Sequence, residues 1–322
     1  MKVEITCHVT VQQHGRDISL WLPVPADTGY QTVTSLDYEG NYQEVRLLRV
    51  TSQGAGTLYA HWQDDTRDGD IRLRMEVETR ARRASLTPNV VDTGSDEVER
   101  FLEPTPHIPV DGIVKREAER ITAGMPSLVG KEKAIYEWVI CNTHRDSQAE
   151  SCGIGDVKSI LENGSLCGKC VDINSLFVAL ARAAGIPARE LFGIRVGESG
   201  LAVALGKSGD ITKSQHCKSE VYLGSAGWVP ADPADVVKVM DEKLPARTID
   251  AVRSYLFGNS EDNWVAFNHA RDFMLNPPQR ARLLNYFMYP YCEVDGKRMA
   301  LEPGKGSYTI FSRVHYGQTA SP

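Results

Sequence analysis

Alternation of apolar and polar side chains opens the chain. Val3, Ile5, Cys7, Val9 and Val11 alternate with Glu4, Thr6, His8, Thr10 and Gln12. A period of two buries one strand face and wets the other. Ile71, Leu73, Met75 and Val77 repeat the pattern against Arg72, Arg74, Glu76 and Glu78. Shorter strand patterns fall at 18–22, 43–50 and 57–62, separated by turn residues. Residues 1–85 therefore predict an antiparallel β-sandwich. Residues 86–109 carry Pro88, Pro104, Pro106 and Pro109 and predict a linker.

The period then changes to that of helices. Ile113, Val114, Ala118 and Ile121 mark one, and Ala134, Ile135, Trp138 and Val139 a second. A short third one is capped by Asp156 and ended by Gly164. The clearest helix runs from Cys170 to Ala184, with Ile173, Leu176, Phe177 and Leu180 on one stripe. Gly185 suits its C-terminal turn, and Pro187 prevents continuation. Strands follow at 190–196, 216–223 and 228–232. Helices are predicted at 249–257 and 279–287, and a last strand at 308–314. The fold class is α+β, with a core over 110–245 and a C-terminal extension, 246–322, packing on it.

A chain of 322 residues fits two or three domains at roughly 100–200 residues each. At 42% hydrophobic and 24% charged it has ample material for a core, which excludes disorder as its main state. The formal net charge of −6 argues against nucleic acid or an anionic membrane as a partner. Met1 runs straight into a strand, with no leader pattern. The expectation is a cytoplasmic chain, or a periplasmic or secreted one had a leader been removed. Seven cysteines, an odd number, point to a reducing compartment and at least one functional thiol.

Cys170 opens the strongest helix, where unpaired N–H groups and the positive end of the dipole favour a thiolate. A nucleophile there needs a base, and the base an orienting acceptor. His216 and Asp232 flank a hairpin over Leu223–Gly227. A turn centred on Gly224 sets them directly opposite, and one centred on Ser225 sets them diagonally; either brings imidazole and carboxylate within reach. Two rival readings use Cys167 and Cys170 together: a redox pair, or zinc ligands completed by His216 with Cys217 or Cys152.

The run Gly168-Lys169-Cys170-Val171-Asp172, continuing through Leu176–Arg189, resembles the transglutaminase-like superfamily of papain-type cysteine enzymes. His216 with Glu220–Leu223 is similar to its second block, and Gly227–Pro233 to its third. The resemblance covers about 110–240, with a weaker one to bacterial members over the first 85 residues. It implies Cys170 as nucleophile, His216 as base and Asp232 as orienting acid, on a helix and an antiparallel sheet. It implies amide chemistry through an acyl-thioester, without metal or organic cofactor, on a peptide, protein or small amide substrate. Lys218 departs from the pattern, where many members carry Trp. As a cation beside the base it favours hydrolysis over acyl transfer to an amine. Lys218, Arg195, Lys169 and Arg189 are expected at the cleft mouth, binding a substrate carboxylate. The first oxyanion donor is expected to be the Cys170 N–H, the second a side chain such as Trp138 or Asn142. A non-catalytic binding protein on the same fold is the remaining alternative.

Overall fold

The computed structural model describes residues 1–12, 16–48, 54–64, 67–86, 96–304 and 306–315. The end of the strand expected at 43–50 and most of the first half of the expected linker, 87–95, lie outside them. Six strands form first: β1 (Lys2–Val11), β2 (Asp17–Val24), β3 (Gln31–Gly40), β4 (Glu44–Leu48), β5 (Gly56–Gln63) and β6 (Gly69–Thr79). The alternation sets their register. Val3 pairs with Val77, Ile5 with Met75 and Cys7 with Leu73, so the apolar sets of β1 and β6 share one buried face.

The middle of the chain is the helical layer with its sheet. The helices are α1 (Gly112–Ile121), α2 (Leu128–Asn142), α3 (Val157–Glu162) and α4 (Cys170–Ala183). Ser159 N–H donates to Asp156 at the start of α3, as the capping pattern predicts. Helix α4 is buried at Val171 and from Ile173 to Arg182, and Gly185 follows at φ 84°, the left-handed value that ends it. Four antiparallel strands come next: β7 (Ala188–Arg195), β8 (Gln215–Tyr222), β9 (Trp228–Ala231) and β10 (Trp264–Asn268), in the order β9-β8-β7-β10. Helices α5 (Pro233–Asp241) and α6 (Ala246–Tyr255) lie between β9 and β10 in the chain.

The C-terminal extension corrects the expected boundaries. Three strands, β11 (Tyr291–Val294), β12 (Lys297–Met299) and β13 (Tyr308–His315), complete the sandwich. One sheet runs from Gly209–Asp210 through β13, β1 and β6 to β3. The other runs β12-β11-β2-β5-β4. The sandwich thus does not close within residues 1–85. Strands β1 and β2 would be edges with unpaired backbone groups, and β13 and β11 cover them. The extension also gives β10 to the core sheet rather than only packing on it. The helix expected at 279–287 does not form. Leu284 exchanges backbone hydrogen bonds with Phe273, and Gln279 spends its side chain on Leu275 and Arg282. Among the described residues no helix is long and apolar enough to cross a membrane.

One buried acid sets a pH dependence. Glu132, on α2, is fully buried, and neither carboxylate oxygen has a partner. Burial pushes its pKa up to about 8 from an ordinary 4.5. The native carboxyl therefore keeps a proton that the unfolded chain releases. Its contribution is intact below pH 4.5 and falls by about 1.4 kcal/mol per pH unit up to about 8. Glu132→Gln is expected to flatten stability over this window and to raise the urea midpoint near pH 8. Parallel stability curves for the two proteins would show that Glu132 ionises freely.

Candidate active site

Cys170 is the first residue of α4, partly exposed, and its N–H is among the helix's unpaired donors. Asp172, two residues on, holds the helix start in place. It accepts from the N–H groups of Lys169 (2.9 Å), Ile154 (3.0 Å) and Gly155 (2.8 Å). The loop 152–155 is thereby drawn over the helix, and Val171 N–H donates to the Cys152 carbonyl at 2.9 Å. Two glycines make the approach feasible. A Cβ would stand 1.9 Å from the Asp172 carboxylate at Gly153, and 2.4 Å from the Asp172 side chain at Gly168.

His216 lies on β8, and Asp232 caps α5. Ser219 pairs with Ala231 and Tyr222 with Trp228, so the hairpin is centred on Ser225 and the two residues are diagonal neighbours. The His216 Nε2–H donates to Asp232 Oδ2 at 2.8 Å. The other oxygen, Oδ1, accepts from Asp235 N–H (3.2 Å) and from Asn174 Nδ2 (3.3 Å). Asn174 is one helical turn beyond Cys170, so one face of α4 carries the thiol and fastens the acid. Trp264 Nε1–H donates to the His216 carbonyl at 3.0 Å. Asp235 Oδ1 is 3.5 Å from His216 Nε2, and its two oxygens take Arg195 in a fork at 2.5 and 3.1 Å.

These contacts polarise the pair. A hydrogen bond from the Cys152 thiol, then one from Cys217, holds the Cys170 pKa well below the ordinary thiol value. Burial opposes them, and the hydrogen bond and charge of His216 add to them. Burial and the Arg195 charge push His216 down, but Asp235 and Asp232 prevail and its pKa is raised. Both shifts favour a thiolate facing an imidazolium. Tyr289 Oη–H in turn donates to Cys152 Sγ at 3.0 Å, and Tyr286 Oη–H to the Gly153 carbonyl at 2.8 Å. Cys152→Ala is expected to move the pH midpoint of Cys170 alkylation upward. An unmoved midpoint would show that Cys152 does not support the thiolate.

A cavity of 1180 Å³ opens beside Cys170 and His216, walled on one side by the C-terminal extension, including Tyr286 and Tyr289. Lys169 lines it, its ammonium on the Ala149 carbonyl. Arg195 lines it too, but its charge is committed to Asp235. Lys218 is not at the mouth. It is 5% exposed, donates to Ser260 Oγ at 2.9 Å and lies 5.3 Å from the Trp264 ring centre. Alternation put Lys218 on one strand face with His216; it could not show that Trp264 and Ser260 cover the second of them. Arg189 is likewise removed, paired with buried Glu220 at 2.7 Å. Trp138 and Asn142 do not line the cavity; Asn142 Nδ2 donates to the Trp138 carbonyl. Gln215, which precedes the histidine, does line it, and its buried Nε2 has no partner.

The zinc reading finds no donor set. Cys167 is exposed, and among the described residues no trio of ligating atoms includes it or Cys170. The trio that converges is His216, Asp232 and Asp235, within 4.8 Å of one another. Its carboxylates are already spent on Arg195, on N–H groups and on the imidazole. Sequence reasoning missed Asn174, Asp235 and the tyrosines. Only Asn174 carried a signal, its spacing of four from Cys170.

Residues 115–233 match the transglutaminase-like superfamily model. An uncharacterized protein of Haemophilus influenzae is 42% identical over 316 residues, covering 92% of this chain and 86% of that one. A solved Cytophaga hutchinsonii protein, proposed to be a cysteine protease, shares the fold at a TM-score of 0.56 and 16% identity. The alignment covers 97% of this chain and 98% of that one. With the matched segment holding the helix of Cys170 and the hairpin of His216 and Asp232, the chain belongs to the transglutaminase-like superfamily.

Proposed function

We propose that this protein is a cysteine-dependent hydrolase of peptide or side-chain amides, with Cys170, His216 and Asp232 as its catalytic triad. The observation that carries the reading is a partly exposed thiol of depressed pKa at a helix N-terminus, facing an imidazole held by a buried carboxylate. Cys170 Sγ attacks the carbonyl carbon, and the Cys170 N–H receives the developing oxyanion. With Nε2 committed to Asp232, Nδ1 of His216 is the nitrogen left to serve the thiol and then protonate the leaving amine. Water, deprotonated by the same nitrogen, cleaves the thioester.

Hydrolysis is preferred to transfer on different grounds from those the sequence offered, because Lys218 is buried away from the cavity. The cavity itself carries cations, among them Arg145, Lys169, Lys207 and Lys213. They repel a protonated amine and leave water as the ready acceptor. Its volume also exceeds the roughly 300–1,000 Å³ of small-ligand pockets, which suits a peptide segment. The test is a peptide library incubated with the enzyme and a millimolar acceptor amine, with products read by mass spectrometry. Free acids that depend on Cys170 are expected. A majority of amine adducts would make the protein an acyltransferase, and products surviving in Cys170→Ala would remove the thiol from the mechanism.

A further inference from the structure

The chain is acidic overall, with 36 Lys and Arg against 42 Asp and Glu. The cavity is the reverse. Its lining holds eight cations and three acids, Glu150, Asp235 and Glu302. Of the cations, Arg195 is neutralised by Asp235, Lys169 and Lys238 rest on the carbonyls of Ala149 and Ala204, and Arg298 lies 5.6 Å from the Tyr291 ring centre. A carbonyl dipole leaves the ammonium charge in place. Arg145, Lys207, Lys213 and Arg282 have no ion pair among the described residues. Lys207, Lys213 and Arg282 are exposed. They come from separate parts of the chain: Arg145 follows α2, Lys207 and Lys213 precede β8, and Arg282 belongs to the C-terminal extension. A substrate reaching Cys170 therefore enters a cleft where the cations left after the Arg195–Asp235 pair outnumber the remaining acids, Glu150 and Glu302, and stand on more than one wall.

We propose that this cleft selects acidic peptides, binding Asp and Glu side chains that flank the amide presented to Cys170. The inference rests on the hydrolase reading for the amide but on the charge distribution for the selection. Low-dielectric walls focus the field of like charges in a cleft, and binding there outlives the repulsion of a distant negative surface, which solvent ions screen. A neutral or basic peptide gains nothing from these cations, and a basic one is opposed by them. The most accessible carboxylate-binding pair is Lys207 and Lys213: both are exposed and neither forms an ion pair among the described residues, and the one acid their charges reach, the exposed Asp210, stands outside the cavity lining.

Binding separates this proposal from the hydrolase reading. The probe is a Glu-rich peptide with an uncharged fluorophore, compared with its Gln counterpart, on Cys170→Ala and on iodoacetamide-blocked protein. Fluorescence anisotropy is read at about 10 mM and about 1 M salt, between which the screening length falls from roughly 30 Å to 3 Å. The Glu peptide is expected to bind at least about tenfold more tightly at low salt, the advantage shrinking at high salt. Lys207→Glu with Lys213→Glu is expected to remove most of that advantage. Equal affinities for the two peptides, or an advantage indifferent to salt and to the double variant, would overturn the proposal. Tight, salt-dependent binding of the Glu peptide by a wild-type protein that turns over no member of the peptide library would uphold the anionic selection and reject the hydrolase.

Discussion

Cys170→Ala is expected to lose amide turnover by about five to six orders of magnitude in kcat, the scale on which a triad acts as a unit. The fold should survive it. Cys170 is only partly exposed, but its thiol makes no hydrogen bond shorter than 4.0 Å to the backbone, and Asp172 holds the helix start through three N–H groups without it. Circular dichroism and the urea midpoint should match the wild type, while hydrolysis of any peptide that the wild type cleaves should vanish. Retained turnover in this variant would remove Cys170 from the chemistry.

Replacements at the other two positions are expected to be costly for different reasons. His216→Ala removes both base and acid, so its loss should approach that of the thiol. Asp232→Asn should cost on the order of 10⁴ in kcat, through the tautomer. Asp232 Oδ1 accepts from two donors, Asp235 N–H and Asn174 Nδ2, so in the asparagine the carbonyl oxygen must occupy that position. The carboxamide NH₂ is then left facing His216 Nε2, where a carboxylate oxygen accepted a proton at 2.8 Å. Nε2 becomes the acceptor, the ring proton moves to Nδ1, and the nitrogen that should take the thiol proton is already filled. The additional change Asn174→Asp would supply an acceptor at that point and is not expected to rescue activity, because it sets a carboxylate oxygen against the Cys217 carbonyl, to which Asn174 Nδ2 donates at 2.9 Å. Activity in Asp232→Asn within tenfold of wild type would show that the tautomer does not limit the reaction.

The local parts of this site were legible in the sequence because they depend on short-range rules. A strong apolar stripe ending in Gly185 and Pro187 fixed where α4 lies, and with it the place of Cys170 at its start. The small-residue turn at 223–227 restricted His216 and Asp232 to opposite or diagonal positions, and the register chose the diagonal. What stayed hidden needs long-range contacts. Strands β11 and β13 pair with β2 and β1 from the far end of the chain, which no local period reports. The segment 279–287 has helical composition, yet its backbone bonds to Phe273, and Tyr286 reaches the loop beside Cys170. Alternation assigned Lys218 a face but not a cover, and Ser260 and Trp264 arrive from 42 and 46 residues away to supply one.

The central claim, an activated thiol at Cys170 held by His216, is tested most directly by the pH dependence of iodoacetamide alkylation, followed at the Cys170 peptide by mass spectrometry. The seven cysteines are resolved as separate peptides, so Cys7 and Cys292, whose pKa values burial pushes up to about 12, serve as internal controls. The expected result is a rate at Cys170 that titrates with a midpoint well below the free-thiol value of about 8.5 and moves toward it in His216→Ala. A midpoint near 8.5 in the wild type, unchanged by His216→Ala, would contradict it.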